Sequence, residues 1–278
     1  MYQPQLFSTG QLEEHKLPLF RWAGGKRSLL KHLLPLLPDS YGTYYEPFFG
    51  GGALFFALQP QVAVLSDLNP DLINCYRQVR DRPNEVIEHL GRLKNTREDY
   101  YSIREQIPAD EVGKAARLIY LVRLSFNGIY RLNSAGKFNV PYGNRLMLQP
   151  CDPERILLIS AALSRTELVC QDFEEAVRDA SVGDVVYLDP PYTVAHGNNG
   201  FLQYNAKIFS WNDQERLYQL AKNLASRQCK VIVSNADHTS IRSLYEGFQV
   251  KTVARNSLIA ASGSSRRQIT ECIFHNEV

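Results

Sequence analysis

The chain has 278 residues, 44% hydrophobic, 22% charged and 11% aromatic, with a formal net charge of +2. That length can bury about three quarters of the unfolded surface, and the composition excludes a disordered tail, a coiled coil or a collagen-like rod. The longest uninterrupted apolar run, Ala53 to Leu58, falls far short of the ~20 residues of a membrane span.

Met1 to Gly10 has neither the basic region nor the apolar stretch of a signal peptide, so a cytoplasmic protein is expected. Cys75, Cys151, Cys170, Cys229 and Cys272 are widely spaced, with no pair at metal-ligand spacing. They read as reduced core thiols rather than disulfides or zinc ligands. Charge is uneven along the chain. From Lys114 to Cys151 there are Arg117, Arg123, Arg131, Lys137 and Arg145 and no acid, and Gly247 to Thr270 carries Lys251, Arg255, Arg266 and Arg267, again with no acid. Such stretches suit an anionic partner such as nucleic acid, although a solvated face meets the same description.

In chain order, the first feature is Trp22-Ala23-Gly24-Gly25-Lys26. It is not a phosphate-binding P-loop, because Phe20 stands where the first glycine belongs and Arg27 where the magnesium-binding hydroxyl belongs. Two glycines beside a Trp and a Lys can instead form a loop over a cofactor, with Lys26 pairing with a carboxylate. Plain packing of Trp22 is the alternative. Thr43 to Phe48 and Val62 to Ser66 read as short strands around the turn Phe49-Gly50-Gly51-Gly52 and a short helix, the spacing of a strand–helix–strand crossover. A dinucleotide fingerprint would want a third glycine at Phe55, so nicotinamide and flavin dinucleotides are disfavoured. Asp67, ending the second strand, is placed to accept both ribose hydroxyls of a nucleoside or to cap the next helix. Glu46 is a second acidic candidate at the same end of the sheet.

Leu72 to Leu124 has helical periodicity broken at Pro83 and Pro108 and reads as a helical insertion, while Phe126 to Pro150, rich in Asn, Gly, Ser and Pro, reads as a loop or hairpin. Asp184 to Leu188 and Lys230 to Ser234 are buried-strand candidates of the parallel kind. A helix between them is expected to start at Asn212, with Glu215 completing a cap. Thr193 to Tyr204, with Asn198, Asn199 and two glycines, reads as a mobile lid or as ordinary disorder. Arg255 to Arg267 reads as a loop between two C-terminal strands.

The strongest element is Asp189-Pro190-Pro191-Tyr192, directly after Val185-Val186-Tyr187-Leu188. Two prolines remove both backbone donors and stiffen the turn. What remains is an array of acceptors without competing donors, which suits an amino group. The exocyclic amine of a nucleobase is a poor nucleophile because its lone pair is delocalised into the ring. Asp189 and the Pro190 carbonyl can each accept one of its hydrogens and draw the nitrogen toward a tetrahedral form, with Tyr192 stacking on the base.

Trp22 to Lys26, Glu46-Pro47-Phe48 with its glycines, Ser66-Asp67-Leu68-Asn69, Phe126-Asn127-Gly128 through Asn139-Val140-Pro141-Tyr142-Gly143, and Asp189 to Tyr192 stand in an order that resembles the DNA adenine methylase (Dam) family. The resemblance spans residues 19 to 275. It implies a Rossmann-like S-adenosylmethionine methyltransferase sheet with helices on both faces, residues 1–70 and 150–278, and a mainly helical inserted target-recognition domain, residues 71–149. It further implies methyl transfer from S-adenosylmethionine to N6 of adenine in double-stranded DNA, with the base flipped into the Asp189–Tyr192 pocket and no metal. The cofactor residues it implies are Trp22, Ala23, Gly24, Lys26, Glu46, Phe48, Gly50, Asp67, Leu68, Asp172, Phe173 and Asp189; Asp67 would hold the ribose, and Asp172 and Phe173 would border the adenine.

For DNA, the resemblance implies that Phe126, Asn127, Ile129 and Arg131 sit in a loop entering the duplex. Arg131 would read a guanine, Phe126 would fill the space the adenine leaves, and Asn127 would meet the orphaned thymine. Asn139 and Pro141 belong to the same segment, Pro141 at a thymine. Arg21 falls where the family more often has lysine at the first guanine, and Phe126 where tyrosine is common. Arg255, Arg266 and Arg267 are expected at phosphates. GATC is the target this pattern favours, read by a protein acting as a monomer. RNA adenine and protein glutamine methyltransferases share a related Pro-Pro-Tyr turn; the segment holding Arg131 and Asn139 to Gly143 favours DNA over them. A catalytically dead DNA-binding relative is opposed by intact Asp189 and Lys26.

Overall fold

The computed structural model describes residues 18–20, 22, 24–193, 209–256 and 268–277. Arg21, Ala23, Arg266, Arg267 and the segment from Val194 through Tyr204 lie outside the described residues, as does the side chain of Arg255. The strands are β1 (Tyr44–Glu46), β2 (Ala63–Ser66), β3 (Thr166–Val169), β4 (Val185–Leu188), β5 (Lys230–Ala236), β6 (Gln249–Asn256) and β7 (Gln268–His275). They form a 7-stranded sheet in the order β3-β2-β1-β4-β5-β7-β6. β1 to β5 pair in parallel, and β7 runs antiparallel between β5 and β6. The chain winds outward from β1 in one direction and from β4 in the other. A crevice therefore opens at the carboxyl ends of β1 and β4, where the winding reverses and where such sheets bind ligands.

Side-chain alternation sorts the strand residues onto two cores. Tyr44, Val185, Tyr187 and Ile232 face one; Tyr45, Val186, Leu188, Val231 and Val233 face the other. Every residue of β4 is buried, as the doubly covered strands of a parallel sheet require.

Helices cover both faces. α1 (Leu30–Leu33) and α2 (Ala53–Leu58) flank β1 in sequence. On the same side as Tyr44 lie α3 (Pro70–Asp81), α4 (Pro83–Gly91), α5 (Arg97–Glu105), α6 (Glu111–Leu124) and α7 (Pro153–Leu163). The expected helical stretch from Leu72 to Leu124 is helical in α3 to α6, with non-helical connections at 92–96 and 106–110, and Pro83 opens α4 at a position where its missing N–H costs nothing. Asn69 caps α3 by accepting from Asp71 and Leu72 N–H, Thr96 caps α5 and Asp110 caps α6. α6 is apolar on nearly all sides and packs at the centre of this layer, against α3, α4 and α5.

The opposite face carries α8 (Phe173–Ala176), α9 (Trp211–Ser226) and α10 (Thr239–Leu244). The expected cap of α9 at Asn212 is corrected: Ser210 is the cap. Its hydroxyl accepts from Asp213 N–H while Asp213 accepts from Ser210, a capping box that leaves Asn212 inside the first turn. The cysteines are free, with Cys75, Cys229 and Cys272 buried but Cys170 exposed, so the expectation of core thiols fails at Cys170. Among the described residues no helix is long and apolar enough to cross a membrane.

Candidate active site

The site grows from the crevice between β1 and β4. Past β1 the chain turns through Phe48 to Gly52, with Gly50 at φ 47° and Gly52 at φ 64°. A Cβ on Gly50 would sit 2.9 Å from Trp22 Cδ1, and one on Gly52 would sit 2.4 Å from the Phe49 ring. Left-handed backbone and close approach both demand glycine here. Past β2, Asp67 is pinned to this turn: Gly50 N–H donates to its Oδ2 at 3.0 Å and Asn69 N–H to its Oδ1 at 2.9 Å. Burial pushes the Asp67 carboxyl above its usual range, opposed by backbone N–H groups of Asn69, Gly50 and Leu68. A carboxylate has about four acceptor directions, so Asp67 retains capacity for hydroxyls. Leu68 beside it is exposed.

Past β4 stands Asp189. Lys26 Nζ lies 2.8 Å from Asp189 Oδ1, donates to the Gly24 carbonyl at 2.6 Å and sits 4.7 Å from the centre of the Tyr192 ring. Lys26 is 5% exposed. A loop residue 163 positions away in sequence thus holds the acidic turn, and a low-dielectric setting strengthens the pair. Pro190 is buried, Pro191 and Tyr192 partly so. Glu46 lies beneath, accepting from Tyr44 Oη at 2.8 Å, its carboxyl pushed up to about 8, mainly by burial with a contribution from the Asp189 charge.

The β3 side supplies an apolar wall. Phe48 stacks on Phe173 with centroids 5.4 Å apart and meets Phe209 edge-on at 5.7 Å. Asp172 caps α8 by accepting from Glu174 N–H, and Arg216 on α9 ties it down at 2.9 Å while also pairing with Glu174 and Asp213 and covering Phe173. The set fits a nucleoside cofactor: an anchored carboxylate for hydroxyls, an aromatic wall for a base, and a glycine turn that admits no side chain.

The second candidate region adjoins α6. Phe126 N–H donates to the Pro141 carbonyl, Ser125 bridges Tyr142, and Leu132 bridges Phe138 across a hairpin closed by Asn133 and Lys137. This is the hairpin expected between Phe126 and Pro150. Gly143 permits it, since a Cβ there would meet the Ser125 carbonyl at 2.6 Å. Phe126 is 54% exposed, Asn127 stands at φ 58°, and Pro141 and Arg131 are exposed while Ile129 is partly buried. Arg131 Nε donates to Asn139 Oδ1 at 2.8 Å and Nη2 to the Asn139 carbonyl at 3.3 Å.

The run of cations from Lys114 to Arg145 does not form one basic face. Arg117 donates to the Ile103 and Arg104 carbonyls, Arg123 to that of Gln149, and Arg145 to those of Arg123 and Ser125. Burial pushes Arg117 and Arg123 down from their ordinary values. Arg131 and Lys137 are the cations of this run that the hairpin exposes.

Sequence reasoning missed several contributors. Tyr130 stacks on Trp22 at 4.9 Å. Asn235 Nδ2 donates to Gln214 Oε1, Gln214 Nε2 to Thr193 Oγ1, and Thr193 Oγ1 to the Phe209 carbonyl, a buried chain that braces the residue after Tyr192. Gln214 on the apolar face of α9 and the polar pair Ser234-Asn235 ending an apolar strand were the available signals. For Tyr130 there was none.

Residues 22–259 match the family model described as D12 class N6 adenine-specific DNA methyltransferase. The chain belongs to this family. It is 41% identical over 278 residues to a type II methyltransferase of Lactococcus lactis subsp. cremoris, covering 95% of this chain and 98% of that one. A type II methyltransferase of Methanocaldococcus jannaschii is 33% identical, with 93% and 98% covered. A DNA adenine methylase of Vibrio cholerae is 33% identical, with 91% and 93% covered. The family expected from the ordered motifs is the family found, and as a member the chain is an adenine-specific DNA methyltransferase with the Rossmann-like sheet foreseen for it.

Proposed function

We propose that this enzyme transfers a methyl group from S-adenosylmethionine to N6 of adenine in double-stranded DNA, at GATC, with the adenine flipped into the pocket formed by Asp189, Pro190, Pro191 and Tyr192. The observation that carries the reading is the Lys26–Asp189 pair beside the Tyr192 ring, at the crevice where the sheet order reverses. When bound, the cofactor supplies an activated methyl on a sulfonium. Trp22, Lys26, Phe48, Gly50 and Asp67 are the residues to hold it, Asp67 at its ribose hydroxyls, with Phe173 and the Arg216-tethered Asp172 beside its base. Lys26 holds and aims Asp189. Asp189 and the Pro190 carbonyl accept the two hydrogens of the amine and turn its lone pair outward. Tyr192 stacks on the extruded base, whose removal from the helix costs a few kcal/mol.

Residues 71–149 serve as the recognition unit. Arg131 reads a guanine through two N–H groups, Asn139 aims its guanidinium, and the exposed Phe126 fills the gap in the stack with Asn127 at the thymine. Arg21 at the first guanine and Arg255, Arg266 and Arg267 at phosphates complete the contact set.

The test is incubation of the protein with tritiated S-adenosylmethionine and duplexes containing GATC, GTTC or a scrambled site, followed by mass spectrometry of the modified base. Label on adenine N6 confined to GATC is the expected result. Label on adenine in other sites refutes the target and keeps the chemistry. Absence of label in every duplex refutes DNA as the substrate and turns attention to RNA or protein amides.

A further inference from the structure

The recognition hairpin and the cofactor-side loop meet through a row of rings. Trp22 precedes Lys26 in a stretch without regular secondary structure, and its side chain lies against the glycine turn: a Cβ on Gly51 would come within 3.1 Å of Trp22 Cβ, and one on Gly50 is excluded by the indole as described above. The indole stacks on Tyr130 with centroids 4.9 Å and planes 20° apart. Tyr130 in turn meets Phe138 edge-on at 5.9 Å, and Phe138 is buried and bridged to Leu132 across the hairpin. Tyr130 immediately precedes Arg131, whose guanidinium rests on Asn139.

A two-stranded ribbon held by isolated bridges has little stability of its own. Its position relative to the catalytic crevice is set by what its side chains pack against. We propose that Tyr130 is a positioning residue for sequence discrimination: seated on Trp22, its ring fixes the hairpin of residues 131–139 relative to the cofactor turn, so that base reading by Arg131 depends on a side chain that itself reads no base. The inference rests on the proposed placement of S-adenosylmethionine beside Trp22 and of DNA beside Arg131. Because Trp22 belongs to both contacts, cofactor binding and hairpin placement are linked. Linkage between equilibria is reciprocal, so a cofactor product that settles Trp22 also strengthens cognate DNA binding.

The experiment compares full-length wild type with Tyr130→Ala, Tyr130→Leu and Tyr130→Phe. For each, kcat/KM is measured on a GATC duplex and on duplexes with one guanine replaced, duplex affinity is measured with and without S-adenosylhomocysteine, and folding is checked by circular dichroism and thermal unfolding. Loss of an aromatic stack corresponds to roughly a three- to tenfold effect. Tyr130→Ala and Tyr130→Leu should lower the cognate-to-altered ratio of kcat/KM by that factor and flatten the response of DNA affinity to S-adenosylhomocysteine. Tyr130→Phe should restore both. If Tyr130→Ala fails to fold, Tyr130→Leu, which keeps apolar volume without a ring to stack, carries the comparison. Folded variants that keep the wild-type ratio, or that lose activity equally on every duplex, overturn the proposal while leaving the proposed function standing. A wild type that binds no S-adenosylmethionine and methylates no duplex overturns both.

Discussion

Lys26 at the rim of the sheet is 5% exposed and held by a carbonyl and a carboxylate, whereas Phe126 on the turn after α6 is 54% exposed and Asn127 beside it stands in left-handed backbone. The rim is assembled from groups that come from distant parts of the chain. Glu46 arrives on β1, Asp67 after β2, Asp189 after β4, and Asn235 on β5 braces the turn through Gln214. The hairpin tip closes through local bonds, such as Asn133 to Lys137 and Arg131 to Asn139, while its base is tied to the helical layer by Tyr100 Oη on the Val140 carbonyl and Tyr142 Oη on Asn95. Charge stabilisation works best where donors and acceptors are fixed before the substrate arrives. Reading a groove requires side chains that exchange protein or water partners for base edges, which an exposed, locally tied hairpin tip allows.

Changes at the rim should therefore alter the chemistry itself, and changes in the hairpin should alter which DNA is used. The largest effect is expected for Asp189→Ala, with turnover falling by at least about a thousandfold while S-adenosylmethionine affinity, read by equilibrium binding, stays within about tenfold. Activity near that of wild type would remove Asp189 from the mechanism. Next comes pH. Burial keeps the Glu46 carboxyl protonated up to about 8 in the folded protein, against an ordinary 4.5. Between those values the native state holds a proton that the unfolded chain has lost, so this group's contribution is fully present below the lower value and disappears as pH rises to the upper one. Urea unfolding of wild type and Glu46→Gln across this range should show wild type losing stability relative to the variant with rising pH. A gap independent of pH would show that Glu46 does not titrate there.

Smaller and confined to specificity is Arg131→Ala, expected to cost about 1–3 kcal/mol of discrimination at one guanine, measured as the ratio of kcat/KM between GATC and the duplex altered at that base. Equal weakening on all duplexes would make Arg131 a phosphate contact and blur the distinction between rim and reader. The Tyr130 series sharpens the same comparison at the point where the two regions touch.

Much of the rim was legible in one dimension. Val185 to Leu188 announced a doubly buried strand, Asp189 to Tyr192 a stiff turn with acceptors, and the glycines after Phe49 a backbone that only glycine permits. These readings hold because each rests on interactions within a few residues. The hairpin, too, was legible as a loop or hairpin in the Asn, Gly, Ser and Pro residues from Phe126 to Pro150. Hidden from the sequence were the partners. Lys26 reaches Asp189 across 163 positions, and Arg216 gathers Asp172, Glu174 and Asp213.

The cation count from Lys114 to Arg145 misled for the same reason: Arg117, Arg123 and Arg145 look like a basic face until the fold brings carbonyls to each of them. Nothing in the sequence shows that the Asn139 carboxamide seats Arg131. By itself the sequence determined the strands around the crevice, the turn residues, the order of the motifs and hence the family. The tertiary structure alone decided which charges are spent on the protein's own backbone and which face outward, and it stacked Tyr130 on Trp22. Local backbone preference and apolar periodicity act over a few residues, whereas desolvation and partner choice depend on what the folded chain brings within a few ångströms.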